Sequence, residues 1–124
     1  MARILVIDDE PSIRDLLDTV LRRKGHEVAL AEDGLKGLKL FQRERPHVTI
    51  LDLKMPELNG LAVLREIRTL DPHAPVIILT GFGTEAEERQ ARELGVAQFL
   101  EKGFSLHTLG AALNRILVES SQAA

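Results

Sequence analysis

Apolar residues recur along this chain in two alternating rhythms. Five short, dense runs occupy residues 3–8, 27–31, 47–52, 75–79 and 96–100. Their length and content of Val, Ile and Leu predict buried parallel strands. Between them the apolar positions space out to every third or fourth residue, which predicts helices with one buried face. In the first helix Pro11 suits the opening turn, Ile13, Leu16, Leu17, Val20 and Leu21 form the buried stripe, and Lys24-Gly25 is the stop. Asp33-Gly34 opens the second, with Leu35, Leu38 and Phe41 inward and an end before Pro46. The third starts near Asn59, buries Leu61, Leu64 and Ile67, and ends before Asp71-Pro72. After the fourth strand, Gly81-Phe82-Gly83 makes a flexible loop, and Thr84 with Glu87 has capping-box spacing. The fourth helix is thinly apolar, since only Ala86, Ala91 and Leu94 can face a core. With apolar burial worth about 25 cal/mol per Å², it is expected to be loosely held and mobile. Ser105 is expected to cap a fifth helix with the stripe Leu106, Leu109, Leu113, Ile116 and Leu117, and the polar residues 119–124 to fray.

Five strands alternating with five helices, at about 20 to 25 residues per unit, predict an α/β fold: a flavodoxin-like, doubly wound (βα)5 with a five-stranded parallel sheet of order 2-1-3-4-5. One domain is expected over residues 1–120, with 121–124 a frayed tail or the start of a linker. That strand order makes the first and third strands neighbours, and ligands of such sheets bind outside the carboxyl ends of the strands. The conspicuous polar residues fall there. Asp8 and Asp9 end the first apolar run, Asp52 the third, Thr80 the fourth, and Lys102 follows the fifth.

Converging carboxylates repel unless a cation lies among them, and hard oxygen ligands open to solvent suit Mg²⁺, for which Mn²⁺ can substitute. A lysine supplies fixed positive charge and a threonine hydroxyl a hydrogen-bond donor. Nucleophile, metal, cation and donor are the parts a phosphoryl transfer needs, and an aspartate can be the nucleophile through an aspartyl-phosphate.

Charge and composition narrow the choice. A formal net charge of −3 lacks the basic surface of a nucleic-acid binder, so no direct nucleic-acid contact is expected of these residues. Without cysteine there are no disulfides and no thiolate chemistry. No apolar stretch approaches a membrane span and no signal peptide opens the chain, so a cytoplasmic, membrane-free domain is expected. Absent Trp and Tyr weaken a flavin or sugar site built on stacked rings. His26, His47, His73 and His107 lack the spacing of metal ligands on one element.

Taken together, Asp8-Asp9-Glu10, Asp52-Leu53-Lys54-Met55-Pro56 with Asn59-Gly60, Thr80 before Gly81, and Lys102 closely resemble the receiver domain of bacterial two-component response regulators. The resemblance spans essentially the whole chain. It implies Mg²⁺-dependent transfer of a phosphoryl group to Asp52 from the phosphohistidine of a histidine kinase or a phosphotransfer protein. Asp8, Asp9, Asp52 and the Lys54 backbone carbonyl would hold the metal, Asp8 through a bound water. Thr80 and Lys102 would contact the phosphoryl oxygens. Thr80 and Phe99 would form a switch that biases the face of the fourth helix, fifth strand and fifth helix toward an output domain, a target protein or a second copy. Such a domain is a signalling phosphoacceptor that assists its own chemistry, not an enzyme acting on a separate substrate. Lys54 and Phe82, each two residues beyond a site residue, are expected to flank the phosphoryl group and obstruct water. Lys-Met-Pro and Thr-Gly-Phe-Gly look most like receivers of the nitrogen-regulator class. One departure is Lys102-Gly103-Phe104 where the family has Lys-Pro-Phe. A cis bond before glycine costs about 2.5 to 4 kcal/mol, so this loop is expected to be trans or more mobile.

Singly, each feature has a plainer reading: Asp52 a turn residue, Asp8-Asp9-Glu10 a helix N-terminal charge set, Lys102 a solvated lysine, Phe99 a core ring. Other function classes also remain. An aspartyl-phosphate phosphatase would have a second Asp two residues after the nucleophile, where Lys54 stands. A flavin-binding flavodoxin-like protein would need a phosphate-cradling first loop, and an unphosphorylated scaffold usually goes with loss of acidic or Lys positions present here.

Overall fold

All five dense runs become strands in the computed structural model, which describes residues 2–81, 83–103 and 106–123, with side chains to residue 119. The order is β1 (Arg3–Ile7), α1 (Pro11–Arg23), β2 (Glu27–Ala31), α2 (Gly34–Glu44), β3 (Val48–Leu51), α3 (Gly60–Leu70), β4 (Val76–Thr80), α4 (Glu85–Glu93), β5 (Gln98–Glu101) and α5 (Leu106–Ala123). The strands pair in parallel in the order β2-β1-β3-β4-β5. Right-handed crossovers then dispose the helices on both faces. Alternate side chains of each strand serve opposite faces. Leu5, Ile7, Leu51 and Ile78 pack with Phe41 of α2, Val63, Leu64 and Ile67 of α3, and Ala91 of α4. Ile4, Val6, Ile50, Ile77 and Leu79 pack with Leu17 and Leu21 of α1 and Leu109, Leu113 and Ile116 of α5. Among the described residues no helix is long and apolar enough to cross a membrane.

Helix starts follow the expected capping chemistry. The Asp33 carboxylate accepts from Lys36 N at 2.8 Å and the Asn59 side chain from Ala62 N at 3.0 Å. Thr84 and Glu87 close a reciprocal capping box at 3.1 and 3.0 Å. The expected cap at Ser105 lies outside the described residues.

Several buried stripes differ from the apolar count. Leu16, Leu35 and Leu106 are exposed, Leu35 to 60%. In α2 the line of contact runs through Gly34, Gly37 and Phe41 instead. A Cβ on Gly37 would lie 2.6 Å from the Ile7 side chain, and one on Gly34 would lie 2.7 Å from that of Val63. The helix rides close on its glycines, which turns Leu35 outward. In α4, Ala86 is exposed and Ala91 is buried. The α5 backbone is helical to Ala123. Gln and Ala in its last residues, 119–123, are good helix formers, and no Gly or Pro interrupts them. No described peptide bond is cis, and Gly103 follows Lys102 in trans with φ +92°, a conformation glycine adopts freely.

Thr49 of β3 is buried with no hydrogen-bond partner for its hydroxyl. A buried orphan hydroxyl carries a desolvation cost of about 1 kcal/mol or more, so Thr49→Val should stabilise the fold by about 1 kcal/mol. Urea melts measure this, and a destabilised valine variant would mean that the hydroxyl is satisfied in solution.

Candidate functional site

The strand ladder itself seats the carboxylates. Asp8 N donates to Ala31 O at 3.0 Å, and Asp52 N donates to Ile7 O at 2.9 Å. Each Asp therefore continues its strand by one bond, and the β1–β3 pairing brings the two together. Both are only 2% exposed. On the other side Lys102 N donates to Thr80 O at 2.8 Å, which carries the β4–β5 pairing one step past the strands. Lys102 thereby reaches back over the carboxyl edge. Its Nζ donates to Asp8 Oδ1 at 3.2 Å, Asp52 Oδ2 at 3.1 Å and Glu10 Oε1 at 2.5 Å.

Backbone amides add a second donor to Asp8 Oδ1 and hold the other oxygen of Asp52. Glu10 N donates to Asp8 Oδ1 at 2.9 Å and Lys54 N to Asp52 Oδ1 at 3.0 Å. Even so, burial pushes the Asp8 carboxyl up to about 6, with the neighbouring Asp52 charge adding to the rise. Burial also raises Asp52, against the opposing pull of the Lys54 amide and Lys102. For Lys102 burial alone would lower the ammonium, but Glu10, Asp8 and Asp52 outweigh it and hold it above its ordinary value. Two carboxyls raised by burial share one ammonium with Glu10, so a further positive charge at this edge would favour their ionised forms.

The donor set fits a hard divalent cation. Asp8, Glu10 and Asp52 each offer a carboxylate oxygen, all within 4.8 Å of one another. Asp9, half-buried, is outside this cluster, and Glu10 takes the third place. Sequence reasoning included Glu10 in the motif without giving it a role. The run of three acids was the available signal.

Thr80 is fully buried. Its hydroxyl is near enough to Asp52 to moderate that acid, yet it makes no hydrogen bond of ordinary geometry. It is a donor held ready at the carboxylate. Phe99 is partly buried on the α4 side of the sheet. Its ring lies where a Cβ on Gly83 would come within 2.8 Å of it and 3.1 Å of the Thr80 methyl. Thr80, Gly83 and Phe99 are thus in one tight packing unit. The Lys54 ammonium pairs with Glu87 at 2.8 Å, a contact no sequence signal announced. Phe82 lies outside the described residues.

Residues 4–114 match the family described as the response regulator receiver domain. The chain belongs to that family. This receiver domain is 41% identical over 98% of its length to the probable transcriptional regulator ycf27 of Guillardia theta, covering 48% of that protein. It is 36% identical over 98% of its length to the transcriptional regulatory protein GlrR of Escherichia coli, covering 28% of it. In structure it is similar to a response regulator receiver domain protein from Clostridium thermocellum, with a TM-score of 0.93, 36% identity and complete coverage of both chains. The receiver domain spans about half the length of the first of these relatives.

Proposed function

We propose that Asp52 is the phosphoacceptor of a two-component system, taking its phosphoryl group from a phosphohistidine on a histidine kinase or phosphotransfer protein. The observation that carries this reading is the convergence of Asp8, Glu10, Asp52 and Lys102 beside an unpartnered Thr80 hydroxyl. In the transfer, a carboxylate oxygen of Asp52 forms the new P–O bond as the P–N bond of the donor breaks. The electron pair of that bond returns to the imidazole nitrogen. Lys102, already on Asp52 Oδ2, follows the charge onto the phosphoryl oxygens, and the Thr80 hydroxyl turns to donate to one of them. Asp8, Asp9, Asp52 and the Lys54 carbonyl are assigned to Mg²⁺, with Glu10 beside them. The ion supplies charge neutralisation for the approaching phosphoryl group.

Movement of Thr80 is relayed through Phe99 to the face of α4, β5 and α5, where an output domain, a target protein or a second copy docks. Lys54 screens the product from water. A cytoplasmic location goes with this role.

Incubation with phosphoramidate and Mg²⁺ should add one phosphoryl mass to the intact protein. Asp52→Asn, or chelation of the metal, should abolish the addition. An unchanged wild-type mass, or equal labelling of Asp52→Asn, would sink the assignment.

A further inference from the structure

Helix α4 is fastened to the molecule by polar contacts. Ala91 is its buried side chain, so apolar packing contributes little. From the α3 side, Lys54 Nζ meets Glu87 Oε2 at 2.8 Å and Arg65 Nη2 meets Gln90 Oε1 at 3.2 Å. Arg68 donates to Leu94 O at 2.5 Å and Gly95 O at 3.1 Å. Three basic side chains hold the helix near its start, its middle and its end.

The two ends are held differently. Arg68 also donates to Ala74 O at 2.7 Å, so its planar fork ties the end of α4 to the segment entering β4. Lys54 is a single ammonium on a flexible stem. Its own backbone N–H donates to Asp52 Oδ1 at 3.0 Å, so the residue that holds the start of α4 belongs to the turn of the phosphoacceptor. Glu87 serves two partners: Oε1 accepts from Thr84 N in the capping box, and Oε2 takes Lys54. The paired side chains are 45% and 20% exposed, so the ion pair is weak enough to exchange.

We propose that Glu87 is a positioning residue that keeps the Lys54 ammonium on α4, and that a phosphoryl group on Asp52 draws the ammonium away and frees the first turn of α4 while Arg68 holds its far end. This rests on Asp52 accepting a phosphoryl group. The modification turns the single charge of the Asp52 carboxylate into about two, carried on phosphoryl oxygens that extend beyond it, against one on Glu87. Glu87 is then left with the Thr84 amide alone. The helix, anchored at Leu94 and Gly95, pivots at its start.

Two variants separate positioning from capping. Glu87→Gln keeps an acceptor for the Thr84 amide but removes the charge that Lys54 needs. Thr84→Ala removes the hydroxyl cap and leaves both charges. Hydrogen exchange by mass spectrometry is followed on the full chain with and without beryllofluoride and Mg²⁺. In the wild type, beryllofluoride should speed exchange of amides 85–88 about two- to fivefold, the range expected for losing a partly exposed pair, and leave 94–97 unchanged. Glu87→Gln should exchange at the faster rate already and gain little on adding beryllofluoride, and Lys54→Met should do the same. Thr84→Ala should exchange faster yet keep the full response. At an ionic strength of about 1 M, where screening reaches about 3 Å, wild type and Glu87→Gln should converge.

If Glu87→Gln keeps the wild-type rate, or responds by the wild-type factor, the positioning role is overturned. Phosphoramidate labelling of the same samples keeps the two readings apart. Label on wild type and Glu87→Gln with an unaltered exchange response removes the positioning role alone, whereas no label on wild type removes both.

Discussion

Gly60→Ala should cost about 3 kcal/mol of stability or more, and the folded fraction that remains should accept phosphate poorly. The cause is a collision between rigid parts. A Cβ on Gly60 would lie 2.2 Å from the Asp52 carbonyl oxygen and 2.5 Å from Leu53 Cα, both backbone atoms that cannot rotate away. Gly60 N also donates to Leu53 O at 3.0 Å, so the start of α3 is tied to the strand exit it would strike. Relief requires that α3 lift off, exposing Val63, Leu64 and Ile67, or that Asp52 leave its seat beside Ile7. Overpacking of a rigid contact of this kind lies at the upper end of its usual range. Gly25→Ala is the control. Gly25 has φ +89° but open space around it, so only the left-handed backbone is penalised, by about 1 kcal/mol. Urea melts of the two variants should rank in that order. Equal losses would show that backbone conformation, not close approach, governs position 60.

The sheet and most of the site were legible because each depends on local chemistry repeated in register. Dense apolar runs define strands, and a polar residue at the end of a run is carried to the sheet edge by the ladder, as Asp52 is by its bond to Ile7. Caps at Asp33, Asn59 and Thr84 follow from residue type alone. What escaped is what depends on distance rather than pattern. The α2 contact line runs over glycines, which an apolar count passes over, so Leu35 was placed inward and is exposed. That Glu10 meets Lys102 was not readable either, because which acid of the run reaches the lysine is set by the loop's path. The Lys54–Glu87 pair joins residues 33 positions apart, one in the turn after β3 and one on α4, each of which reads alone as a solvated charge.

In the absence of divalent cations, Asp8→Asn should be more stable than the wild type at pH 7.5 by about 2 kcal/mol. The native fold holds Asp8 at about 6, against an ordinary value of 3.8, chiefly through burial. A group raised in the native state keeps its proton there after the unfolded chain has released it. Stability therefore falls as the pH rises from about 4 to about 6 and stays lower above that, by roughly 2 to 3 kcal/mol for a shift of this size. Asparagine keeps an oxygen for the Glu10 amide that bonds Asp8 Oδ1 and removes the charge. The advantage of the variant should accordingly shrink toward zero near pH 4, where Asp8 is protonated as well. Other groups move with pH. Asp52 is also raised by burial, so wild type and variant share its loss above the carboxylate range. His26, whose Nδ1 accepts from Ala2 N, is lowered by burial and favours the fold less as the pH falls below 6.5. Taking the difference between the two proteins at each pH cancels the His26 contribution, while the Asp8–Asp52 repulsion, present only in the wild type, is part of the expected difference. Millimolar Mg²⁺ should reverse the ranking at pH 7.5, because a ligand bound only by the native state stabilises it in proportion to its affinity, and the asparagine variant loses one of the oxygens that provide it. Urea midpoints over pH 4 to 8, with chelator and with Mg²⁺, supply all the comparisons. A variant less stable than wild type in chelator, or a difference that ignores pH, would make Asp8 a structural hydrogen-bond acceptor and not a charge awaiting a cation.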